Sequence, residues 1–321
     1  MQKQQRTHHA PARRASRTAP VRAAHNPRRA PVRPAHSRRR APKRPASAAP
    51  APIAKKAIIA ALAVLAILAV VTLIPRAEPQ PAQQQSDQST YVSPYDWYDG
   101  LSMSGGHLTY SENGTQKSLF GIDVSDHQGW IDWDAVAADG VQFAFVRVGN
   151  RGYTEGTINL DTRFNDNLDG AEAAGIPVGV YFFSQATNAD EAREEADFVV
   201  SQLGGRALQL PIVFDHEPVV DSSGRANNVD RQTLTEAAVA FCQRVQSDGY
   251  TAMVYGNSGD IARYDRNTIT SYPIWYAEYG APVPSAMFDF AIWQYSNTGT
   301  IDGISVPVDL NLLMTDAIQI R

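Results

Sequence analysis

No aspartate or glutamate occurs before Glu78, although the same 77 residues hold 17 lysines and arginines. The rest of the chain carries the other 12 basic residues against all 33 acidic ones, so the net charge of −4 describes neither part. A lone cysteine, Cys242, excludes an intrachain disulfide, and a domain of about 200 residues buries enough apolar surface to fold without one. Neither a G-x-x-x-x-G-K-[ST] phosphate loop nor a G-x-S-x-G nucleophile elbow is present. Those absences remove P-loop nucleotide hydrolysis and the serine chemistry of α/β-hydrolases. His127 and His216 stand without metal-ligand spacing around them, so neither a metal nor a cofactor is expected.

Residues 1–56, rich in Arg, Pro and Ala, have almost no large apolar side chains. Such a segment cannot bury enough surface to offset the entropy of ordering, and a disordered basic tail is expected. One long apolar run follows it. Residues 57–74 read AIIAALAVLAILAVVTLI without a charge, and as a helix they reach about 27 Å at 1.5 Å per residue, enough for a bilayer core. Lys55, Lys56 and the tail abut the N-terminal end of this run, so the positive-inside rule keeps residues 1–56 cytoplasmic and the acidic remainder outside. Thr72-Leu-Ile-Pro-Arg-Ala77 offers no small-x-small cleavage site, which favours an uncleaved anchor in the cell membrane over a signal peptide. Membrane lipid is therefore an expected partner through the single span, and nucleic acid is not required. Residues 75–118 are linker and lead-in: Glu78 to Thr90 is rich in Gln, Pro and Ser, and Tyr91 to Ser118 reads as a short hairpin.

From residue 119 onward, short β-branched or aromatic runs alternate with helical stretches. Strands are expected at 120–124, 143–148, 178–183, 212–215, 252–255, 274–277, 291–295 and 306–310, and helices at 133–138, 164–174, 189–203 and 231–248. That alternation makes a parallel sheet, and about eight strands in 200 residues close it into an α/β barrel over residues 119–321. Chemistry in such barrels sits at the C-terminal strand ends. Asp123, Arg147, Asp215, Glu217, Glu278, Gln294 and Asp309 fall there, together with Tyr181, Tyr255, Trp275, Tyr279, Trp293 and Tyr295. Each alone is an ordinary strand end or core ring. As a set they describe an acidic mouth lined with rings on which sugars stack.

The segment Leu210-Pro-Ile-Val-Phe-Asp-His-Glu-Pro218 runs buried-strand residues straight into Asp215 and Glu217. Alternation along an extended chain turns both carboxylates to one side, with Cα atoms about 7 Å apart, and turns His216 to the other. Glycosidic cleavage requires one protonated and one ionised carboxyl flanking the bond. An acidic strand end opening into a solvated loop is the plainer alternative.

Residues 121–321 resemble the glycoside hydrolase family 25 lysozymes. The resemblance rests on Gly121-Ile-Asp-Val-Ser-Asp-His-Gln-Gly129 with Ile131-Asp-Trp133, Phe143-Ala-Phe-Val-Arg-Val-Gly149, Gly179-Val-Tyr-Phe-Phe-Ser184, Asp215-His-Glu217, and Trp293-Gln-Tyr295 with Val308-Asp-Leu-Asn311. It implies an irregular TIM-like barrel with fewer helices than strands, acting on peptidoglycan glycan strands at the β-1,4 bond between N-acetylmuramic acid and N-acetylglucosamine. It also implies Glu217 as general acid, Asp215 as its ionised partner, and Asp123 and Asp309 completing an acidic floor. Retention is implied too, with Asp215 steering the substrate's own 2-acetamido group as internal nucleophile; direct attack by Asp215 is the alternative. Tyr181, Arg147, Tyr255, Trp275, Tyr279, Trp293 and Gln294 are the expected substrate contacts. The chain departs from many relatives at Arg147 to Arg151, where they carry Lys-Ala-Ser/Thr-Glu-Gly, and at Phe182-Phe183, where some carry Tyr-His-Phe. Two other classes stay open: a silent wall-binding module on the same barrel, and another N-acetylhexosaminidase such as a chitinase.

Overall fold

The computed structural model describes residues 91–320; the basic tail, the apolar run at 57–74 and the linker up to residue 90 lie outside them. Among the described residues no helix is long and apolar enough to cross a membrane.

Eight strands close into a barrel: β4 (Ser118–Val124), β5 (Phe143–Arg151), β7 (Val178–Phe183), β8 (Ile212–Asp215), β9 (Ala252–Asn257), β10 (Ile274–Ala277), β11 (Ile292–Gly299) and β12 (Val308–Met314). A short β6 (Ile158–Leu160) hangs antiparallel on the end of β5. Helices α2 (Trp133–Ala138), α3 (Phe164–Ala173), α4 (Ala189–Leu203) and α5 (Arg231–Ser247) fall in the crossovers. Single-turn helices α6 (Ser258–Ile261) and α7 (Arg266–Ile269) follow β9. Local chemistry sets the helix ends. The Asn188 side chain accepts from the Asp190 and Glu191 amides to start α4, and Gly204 at φ 59° closes it in the left-handed region.

The barrel interior is filled by the inward members of each strand, among them Phe143, Phe145, Val213, Met253, Trp275, Ile292 and Leu313. Two glycines make room for the rings. A Cβ on Gly121 would lie 2.5 Å from the Phe143 ring, and one on Gly179 would lie 2.3 Å from Phe145. The outward residues form a second apolar layer beneath the helices.

The expected all-parallel sheet fails at its last strand, because β12 runs antiparallel to both β11 and β4. Only residues 300–307 join β11 to β12, with no helix among them; a parallel return needs a crossover of a dozen or more residues. Asp309, near the start of β12, consequently reaches the same barrel end as Asp123, near the end of β4.

The lead-in is larger than the expected hairpin. After a one-turn α1 (Trp97–Gly100), strands β1 (Leu101–Ser104), β2 (His107–Glu112) and β3 (Thr115–Gln116) form an antiparallel meander. It packs where no helix lies. Trp97 stacks on Phe290 at 5.5 Å and meets Trp293 edge-on at 6.3 Å, and His107 stacks on Phe120 at 3.8 Å. Tyr91 and Tyr95 donate from their hydroxyls to Asp289 and Asp316 at 3.0 and 2.7 Å, pinning the incoming chain beside the start of β11 and the end of β12.

Candidate active site

Ten of the eleven expected site residues meet around one cavity of about 200 Å³ at the C-terminal end of the parallel strands: Asp123, Arg147, Tyr181, Asp215, Glu217, Tyr255, Trp275, Tyr279, Gln294 and Asp309. Phe183 completes the lining. A neighbouring hollow of about 350 Å³ shares Glu217, Tyr255 and Tyr279 with it, so Glu217 stands where the two meet. A larger hollow, about 980 Å³, is an open trough on the outside along α5. Of its carboxylates, Asp230 and Asp265 cap helices and Glu236 accepts from Gln232 at 2.9 Å, and size alone does not mark the chemistry.

Trp293 is the exception and a correction. It is fully buried, it belongs to the outer apolar layer, and its indole donates to the Glu278 carbonyl at 3.0 Å. Alternation decides the matter: Ile292 and Gln294 of β11 face the interior, so the residue between them faces out. The same rule places His216 outside the barrel, where its Nε2 lies 3.1 Å from the Ala186 carbonyl and Arg263 lies 3.4 Å from its Nδ1. Burial, then the Arg263 charge, push its pKa down to about 4 and keep the ring neutral.

A polar relay fixes the floor. Gln294 Nε2 and Asn311 Nδ2 both donate to Asp123 Oδ2, at 2.8 and 2.7 Å. Gln294 Oε1 accepts from the Tyr255 and Tyr279 hydroxyls, each at 2.8 Å, while Asn311 Oδ1 accepts from the Trp275 indole at 2.8 Å. Arg147 is held on the wall by Asp161 at 2.7 Å and Asp126 at 2.6 Å. Asp215 Oδ1, by contrast, is buried without a hydrogen-bond partner.

Four carboxyls in so dry a place cannot all ionise together. Burial, aided by Asp260 and Asp309, pushes Glu217 up to about 7, while a hydrogen bond with Asp215 works the other way. Burial pushes Asp309 up to about 6. Asp123 and Asp215 lie deepest and are raised well above the carboxylate range, first by burial and then by Asp309 and Glu217 respectively. Burial therefore opposes the expectation that Asp215 stays ionised. The nearby Arg147 charge favours its ionised form, and the carboxyls titrate as a set.

Sequence reasoning missed four contributors. Asn311 lay in a quoted motif but had no assigned role. Asp126 and Asp161 act only through Arg147. Asp260, buried at the first turn of α6, acts on Glu217 through its charge, and nothing around it in the sequence separates it from a helix-capping aspartate.

A closed barrel whose mouth gathers an acidic quartet among tyrosines and a tryptophan has the groups that acid–base cleavage of a glycosidic bond requires. The family model for glycosyl hydrolases family 25 matches residues 122–304, more than half of the chain, and the chain belongs to that family. It is 33% identical over 202 residues to Lysozyme M1 of Streptomyces globisporus, covering 60% of this chain and 66% of that protein. It is 27% identical over 191 residues to the autolytic lysozyme of Clostridium acetobutylicum, covering 60% of this chain and 54% of that one. The chain thus spans between half and two thirds of the length of these relatives. Among solved structures, the modular autolysin LytC of Streptococcus pneumoniae, in complex with a synthetic peptidoglycan ligand, superposes with a TM-score of 0.56 at 25% identity, covering 66% of this chain and 52% of that one.

Proposed function

We propose that the protein is a peptidoglycan hydrolase of the N-acetylmuramidase type, cutting the β-1,4 bond between N-acetylmuramic acid and N-acetylglucosamine. The observation that carries this reading is the placing of Glu217, with its pKa raised to about 7, at the junction of two adjoining cavities. A glycan laid across them brings a glycosidic oxygen to Glu217 with one sugar on either side. Glu217 donates its proton to that oxygen as the bond to the anomeric carbon breaks. Asp215, whose Oδ1 has no partner, accepts the acetamido N–H. The acetamido carbonyl oxygen then closes on the anomeric carbon, giving an oxazolinium intermediate and inversion at that centre. Water, deprotonated by the Glu217 carboxylate, opens the ring with a second inversion, so the net outcome is retention.

Incubating the protein with purified peptidoglycan and weighing the fragments tests the bond assignment. Fragments with a reducing N-acetylmuramic end are expected. Reducing N-acetylglucosamine ends would overturn it, cleavage of chitin instead would move the protein to the chitinase class, and binding without cleavage would leave a wall-binding module.

The sequence supports a place for this activity as well: a single-pass anchor at residues 57–74 with the N-terminus cytoplasmic and the barrel outside. Protease added to spheroplasts should remove the barrel and spare the tail. A barrel found soluble in the cytosol would sink that topology.

A further inference from the structure

Between the loop after β4, α2 and α3 lies a hollow of about 510 Å³ that shares no lining residue with the cleft. Trp130 stands on it 70% exposed, whereas the other four tryptophans are buried. In the wall beside it Trp133 and Asn167 are 6% and 2% exposed, and neither Trp133 Nε1 nor Asn167 Nδ2 has an acceptor. Buried N–H groups are nearly always paired, because leaving one unpaired costs free energy. Both donor atoms lie just beneath the surface of the wall, closed off as the side chains stand, so a ligand oxygen that pairs them enters only as the wall gives way around Trp133 and Asn167. Gly170 shapes the site, since a Cβ there would lie 2.2 Å from the Trp133 ring.

Charge narrows the ligand. Of the four aspartates in the wall, Asp166 pairs with Arg163 at 2.9 Å and Asp169 with Arg206 at 2.5 Å, which leaves Asp132 and Asp134 without a basic partner among the described residues. An anion is repelled by that balance, whereas neutral hydroxyls can donate to the carboxylates. A ring with an apolar C–H face, several hydroxyls and a carbonyl oxygen satisfies the tryptophan face, the aspartates and the orphan donors together.

We propose that this groove is a second glycan-binding site taking an uncharged N-acetylamino sugar, its ring on Trp130 and its oxygens on the Trp133 indole and the Asn167 amide. The amide turns about its terminal bond to present Nδ2 to the sugar. The loop carrying Trp130 leaves the end of β4, so the site shares the rim on which the cleft opens. The inference rests on the glycan-cleaving reading of the cleft.

The test uses the full chain carrying Glu217→Gln, labelled with ¹⁵N and titrated with the N-acetylglucosamine trimer. The Trp133 indole N–H signal, assigned by its loss in Trp133→Phe, should move saturably. Adding Trp130→Ala should weaken that titration about tenfold. A Trp133 signal that stays still, one that titrates equally without Trp130, or one that moves only as the protein is concentrated overturns the proposal. Peptidoglycan cleavage by the unmodified protein reports on the cleft independently. Cleavage without the indole shift removes the second site alone, and the shift without cleavage removes the hydrolase reading alone.

Discussion

Asp309 and Asp123 are direct partners across the antiparallel β12–β4 ladder, two acidic residues facing each other where a sheet ordinarily avoids like charges. The pairing is tolerated because Asp123 receives two amide donors, from Gln294 and Asn311, and because burial keeps protons on the pair. Glu217 keeps its proton through burial first, and then through the negative charges of Asp260 and of Asp309 in its ionised form.

Removing either member of the Asp215–Glu217 pair should abolish most activity. Glu217→Gln cannot donate a proton and should lose turnover by about 10²- to 10⁴-fold while still binding glycan. Asp215→Asn should also be severely impaired, since it loses the charge that steadies the oxazolinium. Steady-state rates with a circular dichroism check of folding decide this; near-normal turnover in Glu217→Gln would move the acid elsewhere.

The same substitution should stabilise the fold at neutral pH. A folded-state pKa of about 7 against an ordinary 4.5 means that the folded chain keeps a proton the unfolded chain releases. The contribution is full below pH 4.5 and is lost as pH rises through 7. Glu217→Gln escapes that loss, so at pH 8 it should exceed the parent by on the order of 1–3 kcal/mol, with the gap closing near pH 4. Thermal melts at the two pH values measure it.

Asp260 raises Glu217 through its charge and lines neither cavity at the mouth. Asp260→Asn should shift the alkaline limb of kcat/KM to lower pH by about half a unit to one unit, with the acidic limb less affected. An unmoved limb would show that burial alone sets the acid.

Gly179→Ala should cost about 1–3 kcal/mol. Its Cβ meets both the Phe145 ring and, at 2.8 Å, the Pro211 carbonyl oxygen, which cannot rotate away. Denaturant unfolding reads the loss directly.

Stereochemistry gives a further outcome. Asp215 and Glu217 come from one strand end and share one cavity, an arrangement that does not place a water and its base on the far side of the sugar. The first-formed anomer should be β, a substrate lacking the acetamido group at the cleaved residue should resist hydrolysis, and a thiazoline mimic should inhibit. Initial α anomer in a time-resolved NMR experiment would refute both the acetamido route and direct attack by Asp215.

Much of this was legible in the sequence. The strands at 178–183, 212–215 and 274–277 occur as expected, because their apolar runs are short, β-rich and bounded by turn residues. Inward-facing Asp215 and Glu217 and outward-facing His216 followed from alternation alone. Naming both Trp293 and Gln294 as site residues broke that same rule, since adjacent residues of one strand face opposite ways. The direction of β12 was not legible, because strand propensity carries no sense of direction and only the short connection before it sets one. The lead-in was expected only as a short hairpin, because the third strand of the meander, Thr115–Gln116, is two exposed polar residues with no apolar pattern to announce it.

Tyr91 and Tyr95 tie the incoming chain beside Asp289 and Asp316, at the barrel end opposite the cleft. A load that reaches the barrel through residue 91 therefore meets its closed base first, on the side away from the cleft. Such a load strains the two tyrosine hydrogen bonds of the lead-in and leaves the carboxylate floor untouched.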